Sequence, residues 1–91
     1  MPRTEVVLLA RAIQLREAVA AGRFDGADCR FAANTLGAWL QLARERLEYE
    51  RLRKEGEIVP IEVLEGELPD EEMVNRIELV YKEIEHRLTA H

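Results

Sequence analysis

The feature that most limits the possible folds is an unbroken helical pattern over about residues 27–55. It contains no proline, and Gly56 offers a natural stop at its end. At 1.5 Å per residue such a helix is about 43 Å long, longer than the helix that precedes it. We therefore predict an all-α fold built around one long helix.

The apolar residues of this long helix fall on two adjacent stripes with heptad spacing. The first stripe consists of Cys29, Ala33, Leu36, Leu40, Ala43 and Leu47, and the second of Ala32, Trp39, Leu42 and Tyr49. The combined face is broad up to residue 43, which indicates packing against two neighbours. It is narrow in the charged segment beyond, which is typical of a single coiled-coil contact. Gly37 costs about 1 kcal/mol relative to alanine, so we expect a close helix crossing there.

A first helix is predicted over about residues 4–21, with Thr4 as its N-cap and Gly22 as its stop. The turn that follows contains Phe24, a candidate apolar plug, and Asp25, a candidate cap for the long helix. Because this turn is short, the two helices should form an antiparallel hairpin. The start of the first helix is apolar around most of its circumference, which predicts cover on more than one side, including cover by another chain.

A third helix is predicted over about residues 70–88, beginning at Pro69 or Asp70. Its apolar seam consists of Met73, Ile77, Val80, Tyr81, Ile84 and Leu88. Three outward pairs have the i,i+4 spacing of helix ion pairs: Glu72–Arg76, Glu78–Lys82 and Glu83–Arg87.

The segment over residues 57–69, between the second and third helices, is not expected to be helical. Pro60 and Gly66 interrupt it, and β-branched residues are frequent in it. We predict an extended strap across the helices, with a short strand as the alternative, although a lone strand needs a partner. Residues 1–91 then form a single helical domain.

The size of the chain predicts self-association. A domain of 91 residues buries a limited core and usually adds disulfides, a metal or a partner chain. Cys29 is the one cysteine, so no disulfide can form within the chain. We expect a dimer or a higher oligomeric bundle formed through the long helix, and a protein partner as well. The candidate interface residues are Trp39, Leu42, Leu47, Tyr49 and Leu52.

Negative charge is concentrated in the last third of a chain whose net charge is −5. The candidate acidic surface consists of Glu57, Glu62, Glu65, Glu67, Asp70, Glu71 and Glu72. A solvated face that aids solubility explains it most simply. The alternative function is a small acidic inhibitor, or a nucleic-acid-mimicking decoy, that docks on a basic partner. Direct nucleic-acid binding is not expected, because acidic residues interleave with the arginines of the long helix and no basic surplus remains.

Few residues suggest chemistry. Glu83 and His86 have the Glu-x-x-His spacing of di-iron bundles, and a ferritin-like metal protein is the weakest alternative. At 100° per residue, however, His86 lies opposite the apolar seam. Cys29 is expected to be a small buried residue rather than a nucleophile. The chain has no serine, no glycine-rich phosphate loop and no Cys-x-x-Cys motif, so we expect neither an enzyme nor a cofactor.

The apolar run near the beginning of the chain stops at Arg11, which is too soon for a signal peptide or a membrane span. The unpaired Cys29 is typical of a reducing compartment. We therefore expect a cytoplasmic protein with no membrane contact.

Three stretches of the chain resemble a group of short phage and prophage proteins. They are the turn Gly22-Arg23-Phe24-Asp25 with the alanines before it, the Ala/Leu-rich residues 32–37, and the Glu/Arg/Leu-rich residues 44–52. The resemblance covers about residues 10–55. Gly26 stands where the pattern of the group has a proline after the aspartate. The resemblance implies an origin in a mobile element and identifies no functional residue.

Overall fold

The computed structural model describes residues 3–23 and 26–89 and contains three α-helices. Helix α1 is Thr4–Ala20, α2 is Gly26–Lys54 and α3 is Glu71–Thr89, with one short 3₁₀ turn at Ile61–Leu64. The predicted all-α fold is confirmed, and the described residues contain no strand. Within the same residues, none of the helices has the length and apolar content that crossing a membrane requires.

Helices α1 and α3 lie side by side and run in the same direction. At one end, Arg3 Nη2 donates a 3.0 Å hydrogen bond to the carbonyl of Leu68, just before α3. At the other end, Arg16 Nη1 donates to Glu83 Oε2 at 3.3 Å. This register makes α3 the main packing partner of α1.

Helix α2 runs antiparallel to both of its neighbours. Arg44 Nη2 donates to Asn75 Oδ1 at 2.7 Å, whereas Gly37, two turns earlier in α2, faces Tyr81, further along α3. The antiparallel direction of α1 and α2 agrees with the predicted hairpin. Their mutual contact is nevertheless narrow, because α1 packs chiefly on α3.

The core lies where the three helices meet. Its buried apolar side chains are Ala12 and Val19 in α1, Cys29, Ala33, Leu36, Leu40 and Ala43 in α2, and Val74, Ile77, Val80, Ile84 and Leu88 in α3. The first apolar stripe of α2 is thus buried as far as Ala43, and Leu47 packs against the edge of the core. In α3 the predicted seam omits Val74, which is fully buried, because this helix faces α1 as well as α2. Met73 and Tyr81 lie half-buried beside the seam.

The start of α1 is only partly enclosed by the described residues of its own chain. Val6 is 48% exposed, and Leu8 and Leu9 are half-buried. The one charged side chain buried here is that of Glu5, whose Oε2 accepts a 2.9 Å hydrogen bond from Arg3 Nε. This chain therefore leaves part of the apolar circumference of α1 uncovered.

Glycines end α1 and α2 as predicted. Gly22 has a φ of 68° and its N–H donates to the carbonyl of Val19, while the next N–H donates to that of Ala18. Gly56, with a φ of 89°, makes the equivalent pair of bonds at the end of α2. Both ends are Schellman motifs, in which glycine adopts the left-handed backbone without the clash of a Cβ atom.

Two predicted helix starts need correction. Thr4 is already helical, and its predicted place as N-cap is taken by Arg3, whose carbonyl accepts bonds from the N–H groups of Val6 and Val7. Helix α3 is capped by Asp70, whose Oδ1 accepts a 3.1 Å bond from the N–H of Met73. Pro69 is buried before the cap rather than inside the helix. Phe24 and Asp25, the predicted plug and cap, lie outside the described residues.

Residues 57–69, called the strap below, return along the C-terminal half of α2 towards the start of α3. The strap is mostly extended, but Ile61–Leu64 form a 3₁₀ turn in which the N–H of Val63 donates to the carbonyl of Pro60. The expectation of no helical structure is therefore wrong over these four residues. Val63 and Leu64 are half-buried, whereas Ile58 and Ile61 point to solvent.

Two of the three predicted pairs on α3 form, between Glu72 and Arg76 and between Glu78 and Lys82. The third prediction is wrong, because the carboxylate of Glu83 pairs with Arg16 across to α1 instead of with Arg87.

Candidate interaction surface

An open groove separates α1 from α2. It exists because α1 packs chiefly against α3, so that the contact between α1 and α2 is narrow. The groove has a volume of about 250 Å³ and is lined by Leu8, Arg11, Ala12, Leu15, Phe31, Ala32, Thr35 and Leu36. Phe31 forms its outer lip and is 75% exposed.

A second cavity, the strap cleft, lies between the start of α1, the middle of α2 and the strap. Its volume is about 450 Å³, and it is lined by Thr4, Glu5, Trp39, Leu42, Ala43, Glu45, Arg46, Tyr49, Val63, Glu65, Glu67 and Pro69. Trp39 and Tyr49 are half-buried in it, and Leu42 at its edge is 66% exposed. The strap cleft thus combines an aromatic and aliphatic floor with charged walls.

Carboxylates dominate the charge of the strap cleft. Arg3 neutralises two of them, through its bond to Glu5 and a 3.4 Å contact between its Nη2 and Glu67 Oε1. Glu45 and Glu65 form no ion pair with any described residue. Two carboxylates at the wall of the strap cleft therefore retain uncompensated negative charge.

Arg46 is the one cationic side chain among the lining residues, and Glu50 engages it. Its Nη1 donates to Glu50 Oε2 at 3.2 Å, while its Nε is buried without a hydrogen-bond partner. Hydrogen bonds from Arg53 and then Arg46 lower the pKa of Glu50 to about 2. Since Glu50 stays ionised, it compensates part of the positive charge of Arg46, and it shares its carboxylate with Arg53.

The structure brings together three of the five predicted interface residues. Trp39, Leu42 and Tyr49 line the strap cleft. Leu47 packs against the core instead, and Leu52 is half-buried nearer the end of α2.

Phe31, at the lip of the groove, is not among the predicted interface residues. It begins another heptad-spaced row, which lies on the side of α2 opposite the core. This row continues through Thr35, Ala38, Leu42, Glu45 and Tyr49 and so shares Leu42 and Tyr49 with the second predicted stripe. We call this row the outer seam. Its members are exposed except for the half-buried Tyr49. The heptad spacing of Phe31 from Leu42 and Tyr49 was the signal in the sequence that could have identified it.

The seven residues of the predicted acidic surface are all exposed, on the strap and the first turn of α3. Their contacts differ from one residue to the next. Asp70 caps α3, Glu67 contacts Arg3 and Glu72 contacts Arg76, whereas Glu65 faces the strap cleft.

The residues considered for chemistry are not assembled into a site. Glu83 and His86 are exposed, and the described residues contain no group of three potential metal ligands. Cys29 is buried in the core.

No protein-family model matches the chain, and neither does any curated protein or solved structure.

Proposed function

We propose that this protein is a non-enzymatic helical assembly module that self-associates through the outer seam of α2, with the phage origin that its sequence resemblance suggests. The observation that carries the proposal is the exposure of Phe31 and Leu42 on one helix, at 75% and 66%. Large apolar side chains repeated along one helix face are typical of interaction surfaces. Their heptad spacing favours a helical partner.

An antiparallel pair of α2 helices fits this spacing. A two-fold axis at the level of Leu40 sets Phe31 against Tyr49 of the second copy, and Ala38 against Leu42 of the second copy. Large residues then meet large residues at the ends of the contact, and a small residue meets a large one near its centre. Such a contact is isologous, as in most dimers, and it extends the bundle beyond one chain.

The test is the oligomeric state of two matched variants. Leu42→Glu places a charge in the outer seam, whereas Leu79→Glu places one on α3 at a site that is equally exposed, at 65%. We expect light scattering to give a dimer for the wild type and for Leu79→Glu, and a monomer for Leu42→Glu. Circular dichroism would verify that both variants keep their helix content. A wild-type monomer at tens of micromolar would refute the proposal.

The acidic inhibitor is a second candidate, supported by the exposure of all seven carboxylates of the acidic surface. It predicts capture of a basic nucleic-acid-binding complex. Capture should be lost at high salt and on charge reversal of Glu62, Glu65 and Glu67. Capture that is indifferent to both changes would eliminate this candidate.

A further inference from the structure

The strap cleft has the properties of a peptide-binding site that self-association alone does not require. Its volume of about 450 Å³ falls in the range of ligand sites. The cleft offers Trp39 on its floor and Leu42 at its edge, and tryptophan is among the residues that contribute most to binding energy at interfaces. A ligand with one or two large apolar side chains fills such a space.

The charges that line the strap cleft favour a positively charged ligand. Glu45 and Glu65 lie uncompensated at its wall, and the only lining cation, Arg46, is held by Glu50. An anionic ligand would meet these carboxylates, whereas lysine or arginine side chains would pair with them. Electrostatic complementarity of this kind chiefly determines which partner binds and how fast.

We propose that the strap cleft binds a cationic peptide segment of another protein, one that presents large apolar side chains between lysines or arginines. The densest basic stretch of this chain does not provide such a segment. Arg51 is paired with Glu48 and Glu55, and Arg53 is paired with Glu50. The ligand therefore belongs to a different protein. The inference does not rest on the proposed dimer, and the peptide and the second copy would compete for Leu42, Glu45 and Tyr49, which belong to both the outer seam and the strap cleft.

Trp39 reports occupancy directly, because it is the single tryptophan of the chain and lines the strap cleft. The probe is a blocked, tryptophan-free peptide of alternating lysine and leucine. We expect a saturable blue shift of Trp39 emission with this peptide, weakened as salt rises. A peptide of alternating glutamate and leucine, and a peptide of lysine alone, should give no saturable shift.

Two charge reversals on the strap form a matched pair. Glu65 lines the strap cleft and Glu62 does not, while both are exposed. Reversing one exposed contact costs little in absolute terms, so we expect Glu65→Lys to weaken binding about fivefold. Glu62→Lys should stay within about twofold of the wild type. Equal weakening by the two variants, or equal binding of the glutamate peptide, would overturn the proposal.

A variant in the groove separates this inference from the proposed assembly. Phe31→Glu alters the outer seam without touching the strap cleft. If the protein self-associates, this variant should be monomeric and still bind the lysine–leucine peptide. If the wild type proves monomeric, the assembly proposal fails. The peptide titration then tests independently whether the strap cleft binds a cationic peptide. Absence of a saturable shift in the monomeric variant would refute the cleft proposal alone.

Discussion

At the scale of single residues, Gly37 shows how a glycine in a helix interior can be required by a neighbour. A Cβ atom at this position would lie 2.6 Å from Tyr81 Oη and 3.0 Å from its Cζ. The phenol is also held in place, because its Oη donates a 2.7 Å hydrogen bond to Glu85 Oε1. The close approach was predictable from the cost of a helical glycine. The identity of Tyr81 as its cause was not.

We predict that the effect of Gly37→Ala depends on Tyr81. Alanine should stabilise the helix by about 1 kcal/mol where space allows. Chemical denaturation should show that gain in a Tyr81→Leu background, which lacks the phenol, and a clearly smaller gain or a loss in the wild-type background. Equal effects in the two backgrounds would mean that the phenol does not restrict this position.

The bond between Tyr81 and Glu85 predicts a titration shift. The hydrogen bond to the Glu85 carboxylate, followed by burial, raises the pKa of Tyr81 to about 12 from its ordinary value near 10. Because the folded pKa is the higher one, the stabilisation is complete below pH 10 and is lost as pH rises towards 12. Tyrosinate absorbance in a Tyr49→Phe background isolates Tyr81, since the chain has two tyrosines. In Glu85→Gln the pKa should fall towards 10, and an unchanged value would contradict the assignment.

At the scale of helices and turns, the sequence predicts where helices end better than where they begin. Gly22 and Gly56 end their helices as predicted, because few residues other than glycine adopt a positive φ without strain. Helix starts are less certain from sequence. Thr4 and Asp70 are both able to cap, yet only Asp70 does, since the first helix begins one residue earlier than a cap at Thr4 allows.

We predict that Gly56→Ala destabilises the protein and that Gly26→Ala does not. Gly56 has a φ of 89°, at which a Cβ atom costs about 1 to 2 kcal/mol. Gly26 is helical, with open space around a built Cβ atom, so alanine there should be neutral or slightly stabilising. Thermal unfolding of both variants provides the measurement. Equal melting temperatures for the two variants would refute the role of the left-handed turn.

At the scale of the whole molecule, α3 holds the bundle together, because it packs against both α1 and α2 whereas those two helices contact each other little. The bundle is elongated, at 48 × 29 × 19 Å, because α2 extends beyond its neighbours. Its overhang is covered partly by the strap, which brings Val63 and Glu65 to the same cleft as Tyr49. Tyr49 is thus partly covered by the strap of its own chain.

We predict that acid weakens the contact between α2 and α3. The hydrogen bond from Arg44, more than any other contact, lowers the pKa of Glu78. Its stabilisation is therefore complete above the ordinary carboxyl pKa near 4.5 and is lost as pH falls below it. Because both side chains are partly exposed, the contribution should be about 0.5 kcal/mol.

Denaturation at pH 7 and at pH 3 tests this prediction. Glu78→Gln should lose less stability between the two pH values than the wild type does. Glu57→Gln, an exposed strap variant, should behave as the wild type. Identical pH dependence for Glu78→Gln and the wild type would show that the Arg44 contact does not stabilise the fold.

Much of this protein follows from the sequence by itself. The three helices, the glycine stops and the core stripe of α2 depend on periodicity and on backbone conformations that act within a few residues. Of the candidate interface, Trp39, Leu42 and Tyr49 were identified because their stripe is also local.

Only the tertiary structure decided which apolar faces are left open. Phe31 and Val74 both lie outside the predicted core stripes, yet Phe31 is 75% exposed and Val74 is fully buried. The difference arises because α1 packs chiefly against α3 rather than against α2. A groove beside Phe31 is therefore left open between α1 and α2. Burial depends on where neighbouring elements lie, and that placement is decided by the packing of all three helices together.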